Sequence, residues 1–177
     1  MTDTGTTEGR IAFLRSLRAV RSFRPDPVPQ GVVDDVLEVA RWSGSASNRQ
    51  PWELVVIRDQ ETLGALARVE GYADHLGDAP LGIVLVMAGE RATQEAYDEG
   101  RLSERIMLAA WAHGVGSSIG WFVVGGRAVA REILGIPEGY MVRTAISLGY
   151  PDEEARRRWA GRARKPLSEI LREERYG

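Results

Sequence analysis

Two short apolar runs, separated by helical patterns, constrain the fold of this chain more than any other feature. Trp52–Ile57 and Leu81–Met87 have the length of buried strands and fall far short of the ~20 residues that cross a bilayer as a helix. Ser117–Val124 and Val142–Leu148 are also predicted strands. Because strands alternate with helices along the chain, the pattern predicts an α/β or α+β fold.

Helical periodicity occupies the segments between the predicted strands. From Gln30 to Trp42, apolar residues recur at i, i+3, i+4 and i+7, which is the stripe of an amphipathic helix that packs on a core. Arg91–His113 is apolar on most sides, which predicts a helix buried in the core or between subunits. The other predicted helices are one that ends near residue 17, Asp59–Glu70, Arg127–Leu134 and a short one from about Ser168.

The length and the net charge of the chain limit its domain organisation and the classes of partner that it can bind. The chain has 177 residues, no internal repeat and no second core, so we expect a single domain over residues 1–177, with residues 1–8 disordered. A formal net charge of -2 disfavours a general nucleic-acid or anionic-membrane binder, because both need a basic face. The N-terminus lacks the basic and apolar regions of a secretory signal. We therefore expect a cytoplasmic protein.

The chemistry that the sequence lacks is informative. It has no cysteine and two histidines, and no HExxH, Walker or G-x-S-x-G pattern, which excludes thiolate, iron–sulfur and common hydrolytic sites. We expect structural or solvent-facing roles for His75 and His113, no catalytic amino-acid group and no metal site. The acidic clusters have the pattern of solvated helix and turn charges: Asp34-Asp35, Asp98-Glu99 and Asp152-Glu153-Glu154.

Two arginine groups stand out in a chain that is slightly acidic overall. One comprises Arg18, Arg21 and Arg24, and the other lies between Arg156 and Lys165. A planar guanidinium suits phosphate because it makes bidentate, charge-assisted hydrogen bonds. Composition alone favours the interpretation that these groups are ordinary surface charge. The polar loop Ser43–Pro51 is also ambiguous, since serine and asparagine often satisfy turns.

Taken in this order, the segments closely resemble the nitroreductase family of oxidoreductases that use flavin mononucleotide (FMN). Arg18-Ala-Val-Arg-Ser-Phe-Arg-Pro-Asp-Pro-Val28 is similar to the family's N-terminal basic motif, and Ser45-Ala-Ser-Asn-Arg-Gln-Pro-Trp52 is similar to its asparagine-x-glutamine-proline-tryptophan loop. Later segments match in the expected order: Gly114–Trp121, Leu134–Gly139, Ala145–Pro151 and Arg162–Leu167.

The resemblance implies an α+β fold, in which a central, mainly antiparallel sheet is surrounded by helices and two subunits interlock as a homodimer. FMN would lie in the groove between the subunits. In this arrangement the apolar helix over Leu102–Trp111 would contribute to the subunit interface.

The resemblance also implies which residues bind FMN. Arg18, Arg162 and Arg164 would hold the phosphate, and Arg21 would lie at the pyrimidine edge, where a cation favours the anionic reduced flavin. Ser45, Asn48 and Gln50 would line the ring and the ribityl chain. The backbone N–H groups around Gly120 and Trp121 would face N5 and O4 of the ring, because glycine permits close approach.

The sequence departs from the family pattern at several positions. Leu17 and Ala19 stand where the family often has an arginine and a serine, and Gly44 stands where it often has proline. Ser22 is a candidate to replace the missing serine. The chain is also short for the family, which leads to the hypothesis of an open, permissive pocket.

The activity implied by the resemblance is a ping-pong reaction. NAD(P)H would give a hydride to flavin N5, and a small flat electrophile such as a nitroaromatic or a quinone would then be reduced on the same face. The alternatives are a relative with different flavin chemistry, such as dehalogenation, enone reduction or flavin fragmentation, and a protein that binds or stores flavin without turnover. A further hypothesis is that the chain is a domain that binds no cofactor.

Overall fold

The computed structural model describes residues 5–159 and 163–176. The helices are α1 (Thr7–Ser16), α2 (Gln30–Arg41), α3 (Gln60–Ala67), α4 (Ala92–Ala112), α5 (Val124–Leu134), α6 (Glu153–Trp159) and α7 (Leu167–Ile170). The strands are β1 (Trp52–Ile57), β2 (Leu81–Met87), β3 (Gly116–Trp121) and β4 (Met141–Gly149). Short 3-10 turns cover Ala46–Asn48 and Asp74–Leu76. No helix in the described part of the chain is long and apolar enough to cross a membrane.

The four strands form one antiparallel sheet in the order β1-β2-β4-β3. Trp52 of β1 pairs with Met87 of β2, and Met87 pairs with Met141 of β4. This sheet and the helices around it confirm the predicted fold class. Strands β1 and β2 begin and end at the predicted residues. β2 is buried along its whole length, whereas β1, at the edge of the sheet, is partly exposed.

Helices pack on both faces of the sheet. On one face Ile83 and Leu85 of β2 lie in a cluster with α2 and α4, and on the other Val84 and Val86 lie in a cluster with α3 and α5. The alternation follows from the two-residue side-chain period of a strand. It explains why every residue of β2 is apolar or glycine and buried.

One face of α4 belongs to the core of the protomer. Leu102, Ile106 and Ala110 are fully buried in the same cluster as Val33 and Val36 of α2. Leu108 and Trp111 lie outside this buried face and are half-buried, and the contribution of the helix to a subunit interface stays a prediction.

Some element boundaries also differ from the prediction, and one helix was not predicted. Strand β3 ends at Trp121, and α5 begins at Val124 rather than at Arg127. The two glycines at the start of α5 obscured this helix, but Gly126 is needed there because an added Cβ would lie 2.4 Å from the carbonyl oxygen of Glu70. Helix α6 was not predicted. Residues 1–4 of the N-terminal stretch predicted to be disordered lie outside the described residues, and α1 begins at Thr7.

Candidate functional site

The basic segment 18–24 runs along the outer edge of β3 and the end of β4. Ala19 forms a bridge with Ser117, and the Val20 N–H donates to the Ser117 carbonyl over 2.8 Å. The Arg24 N–H donates to the Tyr150 carbonyl over 2.8 Å. Backbone hydrogen bonds to the sheet therefore fix the position of this segment.

Two arginines of this segment have no carboxylate partner among the described residues. Arg18 is exposed and donates to the carbonyl oxygens of Arg15 and Leu17, at 2.7 and 2.8 Å. Arg21 is exposed as well. Arg24 differs, because it pairs with Asp26 at 3.4 Å. The segment therefore offers cations that can bind an anion.

Ser22, the candidate for a phosphate ligand, has a different partner in this structure. Its hydroxyl donates to Asp152, which also accepts the Ala155 N–H at the start of α6 over 2.7 Å. The Ala155 N–H and then the Ser22 hydroxyl hold the pKa of Asp152 below its usual value. Since a serine hydroxyl has one proton, Ser22 cannot donate to a phosphate while it holds Asp152.

The polar loop 45–50 has an unusual backbone. Ser47, Asn48 and Gln50 adopt positive φ angles of 54°, 53° and 50°, a region that residues other than glycine rarely occupy. The Gln50 N–H donates to the Ser45 hydroxyl over 2.8 Å, and the Asn48 N–H donates to the Ser45 carbonyl over 3.1 Å. Such conformations cluster at ligand sites, where the surrounding structure maintains them.

Buried carboxylates of α4 accept hydrogen bonds from the backbone of this loop and of the turn over residues 89–91. Asp98 accepts the Ala46 N–H over 3.2 Å, and Glu95 accepts the N–H groups of the turn over residues 89–91 at 2.9 to 3.0 Å. Glu99 pairs with Arg143 at 2.7 Å. The prediction that Asp98-Glu99 are solvated charges is therefore wrong, because both side chains are buried. Their partners lie about 44 to 52 positions away in the sequence, which local patterns do not reveal.

Gly120 is required for close packing within the protomer, and the approach of a flavin ring to its backbone stays a prediction. An added Cβ would lie 2.8 Å from the Ala73 Cα and 2.9 Å from the Tyr72 carbonyl oxygen, so that face of β3 is already covered. The Tyr72 N–H donates to the Trp121 carbonyl over 2.8 Å. The rings of Tyr72 and Trp121 stack with centroids 5.5 Å apart, and both side chains are exposed. No sequence pattern predicted a role for Tyr72. The adjacent Gly71 indicated only a turn at this position.

His75 lies beneath the basic segment and has a structural role, as predicted. Its Nδ1 is 2.7 Å from the Ser147 hydroxyl, and the side chain is buried. Burial lowers the pKa of His75, and the positive charge of Arg21 lowers it further, which places Arg21 near this ring. His113 is at the surface, as predicted, and lies 3.1 Å from Asp35.

The two motif segments are far apart within one protomer. Loop 45–50 contacts α4 at Asp98, whereas the Trp111 indole near the other end of α4 donates to Ser16, just before the basic segment. Thirteen residues of helix separate Asp98 from Trp111, which corresponds to about 20 Å. The loop also precedes β1, at the opposite edge of the sheet from β3. One protomer does not bring these predicted site residues together.

The C-terminal segment carries the last predicted ligands. Arg164 is exposed, and Arg162 lies outside the described residues. The apolar side chains of this segment do not enter the core and are largely exposed: Leu167, Ile170, Leu171 and Tyr176. Such an apolar segment, left open in the protomer, is typical of a contact with another chain.

Comparison with known proteins decides the family. Residues 14–71 match the model of the nitroreductase family. An Archaeoglobus fulgidus protein provisionally named NADH dehydrogenase/NAD(P)H nitroreductase is 33% identical over 153 residues, which cover 81% of this chain and 86% of that protein. The chain belongs to the nitroreductase family. An NADH dehydrogenase of Thermus thermophilus is 32% identical, over 77% of this chain and 84% of that protein.

Solved structures of nitroreductases have the same fold. An FMN-dependent nitroreductase from Clostridium difficile superposes with a TM-score of 0.83 at 25% identity, over 94% of this chain and 99% of that one. An NADPH:FMN oxidoreductase from Vibrio harveyi gives 0.82 at 22% identity, over 94% and 77% of the two chains. The first of these has nearly the length of this chain, and the second is longer.

Proposed function

We propose that this nitroreductase-family chain is an FMN-dependent NAD(P)H oxidoreductase that reduces small flat electrophiles, such as nitroaromatics or quinones. The observation that carries the proposal is a pair of exposed arginines, Arg18 and Arg21, that have no carboxylate partner among the described residues. Their segment follows the outer edge of β3, the strand that ends at Trp121 of the exposed Tyr72–Trp121 stack. Cations and a flat aromatic surface along one strand fit a ligand that combines a phosphate with a planar ring.

The described residues fit the parts of FMN. Arg18 and Arg164, with Arg162, would hold the phosphate, and Arg21 would stabilise negative charge at the pyrimidine edge. The amide groups of Asn48 and Gln50 are exposed, and with Ser45 they would bind the ribityl chain and the ring. Trp121 and the backbone around Gly120 would lie at the ring edge. The Ser22 hydroxyl joins the phosphate site only if it releases Asp152.

FMN, when bound, supplies the redox chemistry, since it accepts a hydride from NAD(P)H and passes it to the acceptor. The chain supplies position and electrostatics. The positive charge of Arg21 would favour the reduced state of the ring, and the stacked aromatic pair would shield one side of the site from water. No amino-acid nucleophile is needed for this reaction.

A homodimer would complete the site. Loop 45–50 and the basic segment contact α4 near positions that are about 20 Å apart along the helix, and they lie at opposite edges of the sheet, which favours a site in which a second copy contributes one of them. The exposed apolar segment around Leu167 and Ile170 offers a contact for that copy. We therefore propose a two-fold symmetric dimer with two shared sites.

The names of two relatives support the proposed acceptor class. The Archaeoglobus fulgidus protein carries an NAD(P)H nitroreductase name, and a 4-nitrobenzoate reductase of Pseudomonas putida is 22% identical over 84% of this chain. We also propose that the chain acts as one domain over residues 1–177, in the cytoplasm and without nucleic-acid or membrane partners.

An absorbance titration tests this function. The purified protein is mixed with FMN, separated from free FMN and reduced without oxygen by NADPH and then by NADH. The expected result is a bound flavin spectrum that bleaches with at least one nucleotide and returns when a nitroaromatic or a quinone is added. Bound flavin that never bleaches would favour a storage role, and bleaching without return would favour other flavin chemistry. A protein that binds no FMN would contradict the proposal.

A further inference from the structure

We infer that Asp98 is the positioning residue of loop 45–50, and that it fixes the loop in the conformation that meets FMN. The inference rests on the proposed function for its ligand. Asp98 lies on α4, is 4% exposed, and accepts the Ala46 N–H over 3.2 Å. No local sequence pattern pointed to this residue.

Hydrogen bonds within the loop stabilise its backbone conformation but do not fix its position relative to the rest of the protein. Its internal hydrogen bonds from Gln50 and Asn48 both end on Ser45. They stabilise the three positive φ angles at Ser47, Asn48 and Gln50, yet they tie the loop to no other element. The hydrogen bond from Ala46 to Asp98 links that shape to the long helix of the core. A backbone conformation of this kind persists only when the surroundings determine it.

Arg101 lies beside the buried carboxylate. Its Nη1 is 3.7 Å from Asp98, but its side chain is 58% exposed, so solvent screens this pair. The guanidinium also lies over Gly44, where an added Cβ would be 2.1 Å from Nη2. Because a flexible arginine can move away from such a contact, the buried hydrogen bond from Ala46 to Asp98 remains the link that fixes the loop.

A second link to the loop is exposed and therefore weaker. Arg49 pairs with Glu90 at 2.8 Å, but the Glu90 side chain is 69% exposed. Solvent screens such pairs, and they contribute little to stability. A hydrogen bond to a buried carboxylate is stronger, and its loss leaves the Ala46 N–H without its partner. Glu90 is thus a matched comparison for Asp98, because both acids contact the same loop.

The test combines Asp98→Ala with Asp98→Asn, Glu90→Gln and the exposed α4 control Glu104→Gln. Hydrogen–deuterium exchange of peptides over residues 44–52 measures the loop, and fluorescence quenching measures the Kd for FMN. Asp98→Ala should speed exchange in this loop and raise the Kd at least about tenfold, or about 1.4 kcal/mol. Asp98→Asn should change the exchange rate and the Kd less than Asp98→Ala does, because its amide oxygen can still accept the hydrogen bond from the Ala46 N–H. The two glutamine controls should stay within about twofold, as exposed charges do.

Unchanged loop exchange and an unchanged Kd in folded Asp98→Ala would overturn the inference. So would an increase in exchange that is spread evenly over the chain, since that result indicates lower global stability. If Asp98→Ala does not fold, Asp98→Asn takes its place, because it weakens the same hydrogen bond and should speed exchange in the same peptides by a smaller factor. Failure of the parent protein to bind FMN would contradict the proposed function, while the exchange comparison would still decide whether Asp98 fixes the loop.

Discussion

The two halves of the candidate site are held in different ways. The basic segment 18–24 is attached to the sheet by backbone hydrogen bonds to Ser117 and Tyr150, and its arginine side chains remain exposed. Loop 45–50 has no strand partner, and one buried side chain, Asp98, accepts a hydrogen bond from its backbone. Substitutions in the basic segment should therefore remove charge without moving the backbone, whereas substitutions beneath the loop should move the backbone without removing a ligand.

The largest effect is expected from the exposed cations. Replacing Arg18 and Arg164 together by alanine should weaken FMN binding at least about a hundredfold, because each guanidinium makes charge-assisted hydrogen bonds to phosphate. Equilibrium titration followed by flavin fluorescence measures the change. Arg24→Ala is the matched control, since Arg24 already pairs with Asp26. An equal loss of FMN affinity in the control and in the double variant would contradict the assignment of Arg18 and Arg164 to the phosphate.

A smaller effect is expected from a substitution that disturbs the backbone attachment of the basic segment without removing any charge. Gly116 lies against Val20 so closely that an added Cβ would be 2.5 Å from a Val20 methyl group. Gly116→Ala should lower the free energy of unfolding by about 1–3 kcal/mol, as overpacking does in cores, and should displace the basic segment. Chemical denaturation measures the stability. Gly100→Ala, at an open position, should leave it unchanged or slightly higher, and equal stability of the two variants would contradict the close packing.

The smallest effect concerns pH. His75 is buried as the neutral form, so its pKa in the folded state lies below the ordinary 6.5. Protonation therefore favours the unfolded chain, and the contribution of His75 to stability is complete above pH 6.5 and declines as the pH falls below it. The parent protein should lose more free energy of unfolding between pH 8 and pH 5 than His75→Gln does. Parallel pH profiles of the two proteins would show that the histidine is not buried as described.

The sequence predicted the elements better than the contacts between them. The apolar runs located β1 and β2 without error, because β2 consists of apolar residues and glycine and β1 contains Glu53 as its one polar residue. The antiparallel arrangement of the sheet was implied by the family resemblance. Asp98 and Glu99 were misjudged because adjacent acids usually face solvent, and only the fold brings Ala46 and Arg143 to them. The packing of Gly120 on Ala73 was not predicted, because Ala73 lies in a loop that the sequence specifies poorly.

The shared site is the central claim, and mixing two inactive variants tests it directly. One protomer carries Arg18→Ala, and the other carries Asn48→Pro, which disrupts the loop. After unfolding and refolding together, half of the dimers should contain one protomer of each kind, and each of these should hold one intact site, so about a quarter of the sites should bind FMN again. Recovery near that level is the predicted result. If FMN binding does not recover in mixed dimers, both halves of the site belong to one protomer, and the account is contradicted.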